Sequence, residues 1–196
     1  ALYSRLSTPG RRLLHAAVAR ALEQVYASEL DTHCASLGFH YWEAGLWRDA
    51  ARHLHRAGAV AAARGVHTQA VIALERALEA LERVPQDRAR DEHAVDVRLA
   101  LRNSLFYLGE YNRVEQCLLE AGVLARALGD RSRLGRISLY LCDHYRRRGD
   151  ADRAMAHGGV ALDIAATVGD LELRTQTNLY LGQLHNTLGD LRVARE

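Results

Sequence analysis

The stretch Leu141-Cys142-x-x-Tyr145-x-x-x-Gly149-Asp150-x-x-x-Ala154, running on to Ala161, decides the fold. Forty residues later the chain reads Leu181-Gly182-x-x-His185-x-x-x-Gly189-Asp190-Leu191-x-x-Ala194. Forty residues earlier it reads Leu101-x-x-x-Leu105-x-x-x-Gly109-Glu110-Tyr111, continuing to Leu118 and Ala121. Gly129-Asp130 and Gly169-Asp170 halve that step, so a glycine followed by an acid recurs every twenty residues. Fixed self-similarity marks a stacked array rather than a globule with one closed core. The residues between successive glycines suffice for a helix of about 25 Å at 1.5 Å per residue. Glycine adopts the left-handed conformation that ends a helix, and a following Asp can cap the next one. Two steps make one antiparallel helix hairpin. The expected fold is therefore all-α, an α-α superhelix of hairpins with a repeat of about forty residues.

Gly45 and Gly65 begin an earlier series with the same step, and Pro85 stands where its next glycine would fall. The two series are offset by four residues, which places an insertion between Pro85 and Gly109. Three segments follow: an N-terminal helix over 1–30, irregular helices over 31–85 and a regular array over 86–196. In the first, Leu13, Leu14, Val18, Leu22 and Tyr26 space as an amphipathic helix after the start signal Ser7-Thr8-Pro9-Gly10. The stretch 47–84 reads as two consecutive segments of the second-helix type rather than a clean hairpin. The chain opens on Ala1 and stops at Arg195-Glu196, one turn into a helix, without a polar capping helix. It is expected to be a piece of a longer protein.

Composition fits a helical array: 48% of residues are hydrophobic and only two are proline. No stretch approaches the ~18 uninterrupted apolar residues of a membrane span, and Arg11-Arg12 interrupt any signal-peptide pattern. Cys34, Cys117 and Cys142 are odd in number and far apart, as expected of small buried hydrophobes in a reducing compartment. The expected location is cytoplasmic, with no membrane partner. All 26 basic residues are arginine, as expected of a protein encoded by a GC-rich bacterial genome. A net charge of +2 is too mild to imply nucleic acid as a partner.

Aligned hairpins carry a resemblance. Leu37-Gly38-x-x-Tyr41, then Gly45-x-Trp47-x-x-Ala50, Leu54 and Ala57, is similar to the tetratricopeptide (TPR) repeat, as are the three stretches above. The forty-residue period exceeds the standard thirty-four, so both helices are expected to be longer by most of a turn. A second resemblance covers residues 5–85. Arg11-Arg12-Leu13-Leu14-His15-x-x-Val18-Ala19-x-Ala21-Leu22-Glu23, the Leu37 to Ala61 stretch and Ala70-x-x-x-Leu74-x-x-Ala77-Leu78-x-x-Leu81 resemble the repeat region of bacterial STAND-type regulators. These are predicted ATPases of the cyclase-associated and LuxR-type (MalT-like) kinds. The resemblance implies an upstream ATPase domain and a noncatalytic sensor or scaffold here. The alternatives are a freestanding adaptor that binds peptides and, well behind, a metal-dependent helical enzyme.

The TPR resemblance also implies a concave face lined by first helices. It assigns contact positions to Asn103, Phe106 and Tyr107, to Arg136, Tyr140, Asp143, Arg146 and Arg147, and to Gln176, Tyr180, Gln183 and Asn186. Aromatic platforms beside an arginine pair suit a protein or peptide partner, the chain's own missing domains, or a small acidic effector. Removing Arg146 and Arg147 together is expected to weaken that capture without unfolding the array. Self-association is expected through an unpaired apolar surface around Leu181, Leu184 and Leu188. No cofactor is expected.

Ten histidines invite a metal, but His33 and His40 stand nearly two turns apart, and His53 and His55 face different ways. No His-Glu-x-x-His, Cys-x-x-Cys or clustered carboxylates accompany them. Cys142-Asp143-His144 cannot act as nucleophile and base, because adjacent helical residues do not face each other. Elemental analysis of the purified chain is expected to find no stoichiometric zinc or iron; a full equivalent of either would revive the enzyme reading.

Overall fold

The computed structural model describes residues 7–189. Asp190, Leu191 and Ala194 of the last motif, and the Arg195-Glu196 end, lie outside the described residues. Among the described residues the regular structure is helical: α1 (Thr8–Val25), α2 (Leu30–Ala44), α3 (Trp47–Ala63), α4 (His67–Glu82), α5 (Arg88–Tyr107), α6 (Tyr111–Leu128), α7 (Arg131–Arg147), α8 (Ala151–Val168) and α9 (Leu171–Thr187). The fold is an all-α solenoid of antiparallel helices. The chain divides into two compact units, the first running to Glu110 and the second starting at Tyr111.

The glycine ladder is the punctuation. All seven of its glycines have φ between 66° and 80°. After each of the first six, the next residue's N–H returns to the carbonyl five positions back, as in Asp150 to Tyr145 and Asp170 to Ala165. Asp130, Asp150 and Asp170 then accept the backbone N–H of Arg133, Arg153 and Leu173 at 2.9, 3.1 and 2.9 Å. One dipeptide thus closes a helix and opens its successor. In the earlier series Leu46 and Val66 hold the capping position, and α3 and α4 start without a side-chain cap. The four-residue slip is absorbed by the longer connection 83–87, which contains Pro85, and by α5, at 20 residues against 17 for α7 and α9. Asp87 caps α5 through Arg90 N–H at 2.7 Å.

Close approach between helices rests on glycine as well. A Cβ on Gly38 would lie 2.8 Å from Leu54 Cγ, and one on Gly58 would lie 2.5 Å from Leu74 Cγ. In the second unit, Gly135 receives Leu173 and Ile164, and Gly158 receives Leu181. The Gly58–Leu74 contact corrects the reading of 47–84, because α3 and α4 form a closely packed antiparallel pair. Gly58 lies within an alanine-rich run that the repeat alignment had matched only to a second helix.

Two further expectations need correction. Leu13 and Leu14 do not form the inner face of α1: Leu13 is 73% exposed, while His15 and Ala19 are buried. His15 Nδ1 lies 2.9 Å from His40 Nδ1, so this face is partly polar and apolar spacing misplaced it. On α9, Leu184 is buried and Leu181 seats on Gly158, leaving only Leu188 of the three largely exposed. Of the surface expected to drive self-association, Leu181 is taken up by α8 and Leu184 is buried.

Removing one cap tests the ladder. Asp130→Ala is expected to lower unfolding free energy by about 1 kcal/mol. Urea denaturation would read it as a lower midpoint with an unchanged slope.

Candidate functional site

In the second unit α7 and α9 lie against each other, two elements apart in sequence. Between them opens a cleft of about 480 Å³ whose lining includes Arg136, Tyr140, Asp170, Glu172, Leu173 and Gln176. Arg136 and Tyr140 are one turn apart on α7, and Glu172 and Gln176 one turn apart on α9, so each pair shares a helix face. Leu173 forms the apolar floor and is packed with Leu139, Ala161, Ile164 and Ala165. Asp170 is engaged at the start of α9, and Gln176 Nε2 donates to Glu172 Oε1 at 3.1 Å. Arg136 is exposed and forms no hydrogen bond or ion pair among the described residues. Its guanidinium is an uncommitted donor of the cleft.

The neighbouring arginines are arranged differently. Asp143 is only 3% exposed, and Arg146 Nη2 and Arg147 Nε donate to its two oxygens at 2.6 and 2.9 Å. The guanidinium of Arg146 also lies 5.5 Å from the Tyr180 ring centre, and Tyr180 packs against the apolar core. Asp143, Arg146, Arg147 and Tyr180 therefore form one joined cluster, not an open cationic pair. The expectation that both arginines can be removed without harm is corrected, since that would strip two donors from a buried carboxylate. Gln183 and Asn186 are exposed further along α9.

Asn103, Phe106 and Tyr107 belong to the first unit. Asn103 Oδ1 accepts from Arg102, whose guanidinium lies 5.3 Å from the Phe106 ring. Tyr107 is 71% exposed yet stacks on His67 with ring centres 4.4 Å apart.

A feature that apolar spacing does not reveal occurs once in each unit. In the first, Glu23 of α1 accepts the Tyr41 hydroxyl at 2.5 Å, His53 Nε2 at 2.7 Å and Arg52 at 3.1 Å. Tyr41 and His53 stack, with ring centres 5.3 Å apart. In the second, Glu115 of α6 accepts the Tyr145 hydroxyl at 2.8 Å and Arg153 at 3.4 Å, while Tyr145 stacks on His157 at 5.5 Å. The signal was present as His40-Tyr41-x11-His53 and His144-Tyr145-x11-His157, a doublet and a third histidine at identical spacing.

Burial drives the titration of these groups. It pushes His53 and His157 below the ordinary imidazole value, against the opposing pull of Glu23 on His53. His53 Nδ1 is buried without a partner, so a second proton there would find no acceptor. Burial raises Glu23, but the hydrogen bonds from Tyr41 and His53 outweigh it and hold the carboxyl below its usual range. On Glu115 the Tyr145 hydrogen bond is the largest influence and lowers it.

Cys142 and His144 do not face each other as a nucleophile and base would. Cys142 is fully buried and its thiol is pushed up to about 11, first by burial and then by Asp143. His144 turns instead toward Glu115, at 3.4 Å. Among the described residues no group of three or more His, Cys, Asp and Glu is placed to hold a metal, and no helix is long and apolar enough to cross a membrane. All three cysteines are buried and none is in a disulfide.

No protein-family model and no curated protein sequence matches the chain. Solved structures do match, over 97% of its length. The apo form of RapI aligns with a TM-score of 0.75 at 13% identity, and this chain spans 52% of that protein. BtubC (BKLC) from P. vanneervenii aligns at 0.64 and 17% identity over 87% of its length. A Podosopora anserina protein assigned as a kinesin light chain, with nearly identical TPR-like repeats, aligns at 0.60 and 13% identity over 92% of its length. At such identities the likeness establishes a TPR-like fold.

The histidines give a pH prediction. His40, His53, His55, His93 and His157 all have folded pKa values below the ordinary 6.5. Below that pH the unfolded chain takes up protons that the folded one refuses. Stability is therefore full above pH 6.5 and falls as the pH drops toward the folded values, with Glu23 and Glu115 adding losses below 4.5. Melting temperature measured from pH 7.5 to 5 at constant salt is expected to decline; a flat profile would contradict the assignment.

Proposed function

We propose that this chain is a noncatalytic binding scaffold that captures an acidic, extended peptide segment of a partner protein in the α7–α9 cleft. The observation that carries this is the cleft itself, with an apolar floor at Leu173, an aromatic wall at Tyr140 and the uncommitted guanidinium of Arg136. A guanidinium can pair bidentately with a carboxylate, while Tyr140, Glu172 and Gln176 offer hydrogen bonds to a peptide backbone. Stacked hairpins commonly serve as interaction surfaces of this kind. Gln183 and Asn186 would extend contact beyond the cleft on α9, and Asn103, Phe106 and Tyr107 would offer a separate contact surface on the first unit.

The resemblance of residues 5–85 to STAND-type regulators supports a setting for this scaffold. It would be the sensor region of a larger bacterial signalling ATPase, cytoplasmic, with partner capture biasing the ATPase. Its own missing domains would then compete for the same face. A freestanding peptide adaptor is the second reading, favoured by how self-sufficient the α7–α9 cleft is. An open reading frame with a phosphate-binding loop upstream separates the two.

Peptides selected on the intact chain from a random display library are expected to carry an acidic residue beside an apolar one. Arg136→Ala should weaken them about tenfold, the scale of a charge-assisted hydrogen bond. Arg20→Ala, on exposed α1, should leave them unchanged. Selected peptides indifferent to Arg136→Ala would rule this cleft out.

A further inference from the structure

Both tryptophans of the chain lie at one end of the first unit, where α1 begins, α2 gives way to α3, and α4 ends. Trp42 and Trp47 meet edge to face with ring centres 5.3 Å apart. The Arg83 guanidinium stands 4.6 Å from one indole and 4.5 Å from the other, and Arg76 stands 5.8 Å from Trp42. Beside them is a cleft of about 330 Å³ whose lining includes Arg11, Arg12, Trp42, Glu43 and Trp47. Neither tryptophan is fully buried. Arg12, Arg76 and Arg83 are exposed and form no hydrogen bond or ion pair among the described residues.

We propose that this cleft binds a small aromatic anion: a flat ring carrying a phosphate, about the size of a mononucleotide. A guanidinium beside an indole ring keeps N–H donors for an anion. Arg83 stands near the centres of both indole rings, next to the cleft, and Arg12 lines the cleft itself. Arg12 lies beside Gly45, its Nε at an ordinary contact distance of 3.8 Å from the position a Cβ would take there. Indole faces and edges supply a surface for a flat ring, and Glu43 can accept an amino group from it. The cleft is at the lower end of the usual 300–1,000 Å³ range of small-molecule sites, too small for an extended peptide.

The site contains both tryptophans of the protein, so emission excited where indole but not tyrosine absorbs reports on it alone. The intact chain would be titrated with AMP and phenyl phosphate, and with adenosine and inorganic phosphate as the two half-ligands. Calorimetry on the same solutions supplies a second readout. At least one aromatic phosphate is expected to bind saturably, with each half-ligand about tenfold weaker or more. Arg12→Ala should weaken it about tenfold, while Arg136→Ala, in the other unit, should leave it unchanged. Absence of binding by both aromatic phosphates, equal binding of either half-ligand, or full affinity in Arg12→Ala would each overturn the proposal. None of these results depends on whether the α7–α9 cleft captures peptides.

Discussion

The structure depends on how closely its helices approach one another, and glycine sets that distance. At Gly38, Gly58, Gly135 and Gly158 a leucine from another helix occupies the space a side chain would need. Each contact removes branched apolar carbon from water at a point where two helix backbones come near. A helix of 15–20 residues cannot bury its apolar stripe alone, so each depends on its neighbours. The left-handed glycines of the ladder serve a second purpose: they turn the chain so that the next helix returns over the last. Asp130, Asp150 and Asp170 then begin the new helix where the old one stops.

Much of this architecture was legible in the sequence because its signals are local. A glycine followed by aspartate at a fixed step specifies both the end of one helix and the start of another. Pro85 and the altered phase announced the longer α4–α5 connection and the longer α5. The misreadings occurred where long-range contacts override local pattern. Leu13 and Leu14 look like a core face, yet His15 is turned inward by its contact with His40. Residues 47–84 read as two segments of the second-helix type, but Gly58 opposite Leu74 packs α3 on α4 as closely as Gly38 opposite Leu54 packs α2 on α3.

The candidate site divides along the same line. Position in the repeat placed Arg136, Tyr140 and Gln176 together on the α7–α9 face. It could not show that Arg146 and Arg147 are engaged with Asp143, because i+3 and i+4 spacing suits an ion pair and a binding patch equally. The Glu23–Tyr41–His53 and Glu115–Tyr145–His157 clusters depend on carboxylates from preceding helices, 18 and 30 residues before the tyrosines. Those separations follow no single repeat, although the histidine and tyrosine spacing does. In both clusters a carboxylate from the preceding helix is hydrogen-bonded by the tyrosine of the next, which ties helix pairing to protonation.

Adjacent glycines in α8 offer the most direct test of the packing constraint. Gly158 faces Leu181, with three of its carbons within 3.0 Å of a built Cβ, whereas Gly159 has nothing within 4 Å. Equilibrium unfolding of Gly158→Ala and Gly159→Ala separates helix propensity from close approach. Gly159→Ala is expected to gain about 0.5–1 kcal/mol from helix propensity. Gly158→Ala is expected to lose about 1–3 kcal/mol by overpacking. If both substitutions stabilise the protein to the same extent, glycine does not set the helix spacing and the account fails.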